Sequence, residues 1–115
     1  MGQSSSTLSL SPDMAAKLKT EIEAIIQNNG VVVFSKTYCP YCAKTKALLA
    51  KKNVKAHIVE LDEEENGADI QALLFEITGQ KSVPNNFIGG KHIGGNDSLQ
   101  LLQTEGKLDG ILANL

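Results

Sequence analysis

The chain has 115 residues, 42% of them hydrophobic, and a formal net charge of −2. That length suits a single domain, since one core usually serves about 100 to 150 residues. No apolar run approaches the roughly 18 residues of a membrane-spanning helix, and the mild acidity argues against nucleic acid as a partner.

Met1 to Leu10 are rich in Ser and Thr without a clear period and read as a flexible tail, residues 1–10, ahead of one domain, 11–115. The tail holds no Lys or Arg and no apolar core, which argues against a mitochondrial presequence or a secretion signal, so a cytoplasmic location is expected. Met1-Gly2-Gln3-Ser4-Ser5-Ser6 fits the myristoylation pattern; if Gly2 is acylated, weak membrane association follows. Ser11 as N-cap, Pro12 in the first turn and Asp13 beside the helix dipole then open a helix. Its apolar face is Met14, Leu18, Ile22, Ile25 and Ile26, and Asn28-Asn29-Gly30 ends it.

Val31 to Phe34 is a continuous apolar run, the mark of a strand buried on both faces. A second helix runs from the cysteines to about Lys52, with Ala43, Ala47 and Leu48 among its apolar positions, and a second strand covers about Ala56 to Leu61. Ile70, Leu73, Leu74 and Ile77 form a third helix capped by Gly79. After Val83-Pro84, two short strands near Asn86–Ile88 and Lys91–Ile93 flank the hairpin signal Gly89-Gly90. Asp97 with Gln100 resembles a capping box opening a last helical region, which Gly106 divides. The order α-β-α-β-α-β-β-α predicts an α/β fold. A parallel pair with a right-handed crossover and an antiparallel hairpin make one mixed four-stranded sheet, with helices on both faces.

All eleven basic residues are lysines, and six of them (Lys36, Lys44, Lys46, Lys51, Lys52, Lys55) lie within 36–55 without an intervening acid. Glu60 to Glu65 then carries five acids in six residues. These runs are either two solvated faces or a positive field around the cysteines that attracts an anionic substrate. The two cysteines, Cys39 and Cys42, are too close for a structural disulfide to remove much chain entropy. Zinc needs a second close ligand pair, which His57 and His92 do not supply, so no metal is expected. Redox chemistry remains as the natural use of the pair.

A C-x-x-C pair that follows a buried strand and opens a helix is a thioredoxin-like signal. Only the thiolate attacks a disulfide, and unpaired N–H groups and the dipole at a helix start stabilise negative sulfur. Cys39 is therefore the expected nucleophile. Pro40 fits the first helical turn because it has no N–H to leave unpaired. Cys42 sits one turn in, where it can attack a mixed disulfide, and Lys36 adds positive potential.

Lys36-Thr37-Tyr38-Cys39-Pro40-Tyr41-Cys42, Ser82-Val83-Pro84 and Gly94-Gly95-Asn96-Asp97 together resemble the dithiol glutaredoxins, over about Met14 to Leu112. Thioredoxins typically have Trp before the first cysteine and Gly-Pro between the two, whereas this chain has no Trp. The resemblance implies a thioredoxin-like fold and glutathione as co-substrate. It implies that Lys36 and Gln71 bind the glycine carboxylate of glutathione and that Tyr41 flanks its sulfur. Val83 would pair its backbone with the cysteinyl unit like an added strand, beside a cis Pro84. Gly95, Asn96 and Asp97 would receive the γ-glutamyl end, with the Asp97 carboxylate facing its ammonium. Many relatives have Ser-Asp at Asp97-Ser98, which leaves Ser98 as the other candidate. The resemblance also places Ser82 in this groove, where relatives have Thr, and Lys81 keeps a neighbouring charge. His57 and His92 read as surface or strand residues.

The implied activity is reduction of protein–glutathione mixed disulfides through Cys39 alone, and of protein disulfides through Cys39 and Cys42, by a monomer. Glutaredoxins poise at roughly −200 to −230 mV, near the glutathione pool. One alternative is a dimer holding a 2Fe–2S cluster between two Cys39 residues and two glutathiones. Pro40 argues against it, because cluster-holding relatives usually have Gly or Ser there. Another is a thioredoxin-type reductase fed by a flavoprotein.

Overall fold

A computed structural model describes residues 10–115. The tail expected over 1–10, with the Gly2 acceptor, lies outside the described residues except for Leu10, which packs against the hydrophobic core. Helix α1 (Pro12–Asn28) starts as expected, with the Ser11 hydroxyl accepting from the Met14 N–H at 3.3 Å. Leu18, Ile22 and Ile26 are buried, but Met14 is 58% exposed, against expectation. Each four-residue step over-rotates the helix by about 40°, so Met14 lies about 80° from Ile22, the middle of the buried stripe of Leu18, Ile22 and Ile26.

The sheet is built on β1 (Val31–Ser35), every residue of which is buried. β1 pairs in parallel with β2 (His57–Glu60) and antiparallel with β3 (Asn85–Ile88), which pairs antiparallel with β4 (Lys91–Gly94), giving the order β2-β1-β3-β4. Between β3 and β4, Gly89 and Gly90 take φ of 61° and 80°, the left-handed pair a two-residue turn requires. The central strand alternates between two cores. Val32 and Phe34 join Leu18, Ile22, Ile26, Leu73 and Leu74 of α1 and α3 (Gly67–Thr78), and Phe34 meets Phe87 edge-on at 5.8 Å. Val31 and Val33 face Leu48 and Leu49 of α2 (Pro40–Lys51), Leu99 of α4 (Asn96–Thr104) and Leu108 of α5 (Leu108–Ala113). Burying each such side chain stabilises the fold by about 1.5–3 kcal/mol.

Two local expectations need correction. The inner face of α2 is Cys42, Thr45, Leu48 and Leu49, while Ala43 and Ala47 are exposed. Thr45 takes an inward position because a partner on α4 satisfies its hydroxyl. The expected capping box at Asp97 and Gln100 does not form. α4 begins two residues earlier, with Gly95 as N-cap, whose carbonyl accepts from Leu99 N–H at 3.2 Å, and no side chain caps it.

A 3₁₀ turn, Leu61–Glu63, which the sequence pattern does not show, joins β2 to α3. Gly67 makes it possible: a Cβ there would lie 1.8 Å from the Leu61 carbonyl oxygen. Only glycine lets α3 start against this turn.

Candidate active site

Cys39 is the N-cap residue of α2, with extended backbone and Pro40 directly after it. Its sulfur accepts from the Cys42 N–H at 3.2 Å, the place a Ser or Asp oxygen usually fills. The same sulfur contacts the Val83 carbonyl oxygen at 3.8 Å. Cys39 is half-buried and Cys42 fully buried, and both are free thiols. Burial, followed by the contact with the Cys39 side chain, pushes the Cys42 thiol above its ordinary value. The pair is thus asymmetric: an accessible sulfur held by a helix N–H, and an inner one kept protonated.

Beside Cys39 opens a groove of about 410 Å³, lined by Tyr41, Gln80, Ser82, Val83, Pro84, Gly95, Asn96, Asp97 and Ser98. Three segments distant in sequence meet there: the α2 start, the Ser82–Pro84 loop and the start of α4. Seven of the nine sequence-expected groove residues (Tyr41, Ser82, Val83, Pro84, Gly95, Asn96, Asp97) lie in this lining, and Lys36 and Gln71 do not. The Val83–Pro84 bond is cis. The Val83 N–H has no partner among the described residues.

Gln80 also lines the groove, and no local signal in the sequence marks it. Its Nε2 donates to the Ser82 carbonyl at 3.0 Å and the Pro84 carbonyl at 2.9 Å, clamping the loop on either side of Val83. Gln71 Nε2 donates to the Lys81 carbonyl at 2.7 Å, so Gln71 braces the same loop from α3. Lys36 precedes the motif, and its carbonyl accepts from the Cys39 N–H at 3.1 Å. His57 and His92 lie exposed on β2 and β4, and His92 Nε2 is 2.7 Å from Asn85 Oδ1.

The lysine cluster is only partly free. Lys46 pairs with Glu60 at 2.6 Å and Lys52 with Asp109 at 2.9 Å. Lys36 and Lys44 form no ion pair among the described residues, and Lys44 lies over the Tyr41 ring at 5.2 Å. The field around Cys39 therefore rests on fewer charges than the sequence counts. Among the described residues, no cluster of His, Cys, Asp or Glu is placed to hold a metal ion.

Comparison with known proteins agrees with this geometry. The family model described as Glutaredoxin matches residues 31–93. A glutaredoxin of Ricinus communis is 53% identical over 89 residues, covering 77% of this chain and 87% of that protein. Glutaredoxin-1 of Saccharomyces cerevisiae is 48% identical over 95 residues, covering 79% of this chain and 86% of that protein. Among solved structures, a buckwheat glutaredoxin–glutathione complex matches with a TM-score of 0.88 at 41% identity, over 91% of this chain and 96% of that one. With the cysteine pair at a helix start, this sheet order and identity of that extent, the chain belongs to the glutaredoxin family.

Proposed function

We propose that the chain is a glutathione-dependent thiol–disulfide oxidoreductase in which Cys39 is the nucleophile. The observation that carries this is the Cys39 sulfur, held by the Cys42 N–H at the start of α2 and touching Val83, a wall of the groove. The glutathione-bound buckwheat relative supports glutathione as the ligand. In this reading glutathione lies along the groove with its cysteinyl unit on the free Val83 N–H and its γ-glutamyl end at Gly95, Asn96 and Asp97. Tyr41 flanks its sulfur, and Lys36 draws its glycine carboxylate.

The Cys39 thiolate attacks the glutathione sulfur of a protein–glutathione mixed disulfide. A bond forms between the two sulfurs, the old S–S bond breaks, and the protein thiolate leaves and takes a proton. A second glutathione thiolate then attacks the glutathionyl sulfur on Cys39, giving oxidised glutathione and the free Cys39 thiolate. For a protein disulfide, Cys42 loses its proton and attacks Cys39 in the mixed disulfide, expelling the substrate thiolate. Two glutathiones then reduce the Cys39–Cys42 bond and leave as oxidised glutathione.

Both sulfurs belong to one helix start of one chain, so the proposal extends to a working monomer. A reducing compartment with a glutathione pool, the cytoplasm, suits a dithiol kept free. Pro40 at the first position of α2 speaks against the cluster-binding dimer.

The test is reduction of a glutathionylated peptide with glutathione and glutathione reductase, or with thioredoxin reductase, as electron source. Turnover only with glutathione, lost in Cys39→Ser and kept in Cys42→Ser, is expected. Turnover fed by thioredoxin reductase, or surviving in Cys39→Ser, overturns the reading.

A further inference from the structure

Thr45 lies on the inner face of α2, one turn beyond Cys42, and is fully buried. Its hydroxyl donates to Oδ1 of Asn96, the first residue of α4, at 3.0 Å. Gln100 Nε2, one turn along α4, donates to the same oxygen at 3.1 Å. Asn96 is 7% exposed and lines the groove. Its Oδ1 thus carries two donors from inside, and its Nδ2 has no partner among the described residues.

This pattern fixes which way the carboxamide points. Reversing it would set the Asn96 amide hydrogens against those of Gln100, and the Thr45 hydroxyl would have to turn and accept instead of donate. Two sets of amide hydrogens facing one another inside the protein are unfavourable. The side chain therefore turns its donor end away from the protein's own partners. A groove ligand that presents a carboxylate or carbonyl oxygen is what such a donor recognises. Because Thr45 and the two cysteines ride on one rigid helix, the donor is also set at a constant distance from the reacting sulfur.

We infer that Thr45 is a positioning residue that orients the Asn96 carboxamide, so that Nδ2 donates to an acceptor at the γ-glutamyl end of glutathione. This rests on the glutathione reading of the groove. Thr45 touches neither ligand nor sulfur and acts through Asn96.

The experiment compares wild type, Thr45→Val, Thr45→Ser and Asn96→Asp with a glutathionylated peptide, reading KM for glutathione, kcat, and the rate of Cys39 alkylation by iodoacetamide. Valine keeps the volume and removes the hydroxyl; serine restores it. Aspartate keeps an oxygen toward Thr45 and replaces the donor with a charged acceptor. Thr45→Val is expected to raise KM about three- to tenfold, with kcat and alkylation unchanged, since a hydrogen bond contributes about 0.5–1.5 kcal/mol. Thr45→Ser should return KM to near wild type, and Asn96→Asp should raise it at least as much as Thr45→Val. An unchanged KM in Thr45→Val overturns the inference, as does a fall in alkylation rate, which would make Thr45 a support of α2 itself. If Thr45→Val does not fold, Asn96→Asp decides: wild-type KM in that variant overturns the inference. A wild-type chain without glutathione dependence overturns the reading of the groove first, and is told apart because no variant is needed to see it.

Discussion

The Asp62 carboxylate accepts two hydrogen bonds from Thr37, one from its backbone N–H at 2.9 Å and one from its hydroxyl. Asp62 sits in the 3₁₀ turn that Gly67 admits, and Thr37 lies two residues before Cys39. A residue in the acidic run thus ties down the loop that delivers the nucleophile, a task that composition alone assigns to solvation.

The bond from the Thr37 hydroxyl, then that from its N–H, holds the Asp62 carboxyl below the usual carboxylate range. A depressed carboxyl stabilises the fold fully above its unfolded value of about 3.9, and the contribution fades as pH falls through the lower folded value. Asp62→Asn should therefore be less stable than wild type from about pH 5 upward, with the gap narrowing below about pH 4. Urea unfolding of both proteins between pH 3 and 7 checks this. A gap of the same size at both ends would show that the carboxylate charge is not what holds Thr37.

Burial raises the Cys42 thiol, first through desolvation and then through the neighbouring Cys39 side chain. Attack by Cys42 on glutathionylated Cys39 needs the thiolate, so its rate should rise roughly tenfold per pH unit near neutrality without levelling by about pH 8.5. Release of glutathione from pre-glutathionylated protein, followed by stopped flow from pH 6 to 9, reads this directly. A plateau near pH 7 would mean that Cys42 is activated rather than held protonated.

Lys36 contributes charge near Cys39 without an ion pair among the described residues. Lys36→Met is expected to raise KM for glutathione several-fold while moving stability by no more than about 0.5 kcal/mol. Steady-state kinetics alongside a denaturant curve separates the two effects. Unchanged KM would put the glycine carboxylate elsewhere.

Asn86 is 1% exposed on β3 opposite Val33, and neither its Oδ1 nor its Nδ2 has a partner among the described residues. A buried polar group without a partner costs about 1–3 kcal/mol, and valine suits a central strand. Asn86→Val should stabilise the protein by about 1–3 kcal/mol. Thermal and urea unfolding supply the check, and a destabilised variant would show that the amide is satisfied in solution.

Features set by neighbours along the chain are legible in the amino-acid sequence by itself. Ser11 caps α1, Gly89-Gly90 turns the hairpin, Val31 to Phe34 forms the central strand, and Cys39-Pro40 opens α2. Each depends on backbone conformation within a few residues, which residue type and period constrain directly. Resemblance to a known family adds the loop at Val83 and the start of α4.

What only the tertiary structure decided is how distant segments satisfy one another. Thr45 finds Asn96 across 51 residues, Thr37 finds Asp62 across 25, and Cys39 meets Val83 across 44. The Asp97 cap gives way to Gly95, because a helix starts according to what it packs on. Gln80 and Gln71, both bonded to carbonyls of the Lys81–Pro84 loop, carry no mark of that role in the sequence. A side-chain amide has no period, and its partner exists only once the sheet has brought the loop within reach.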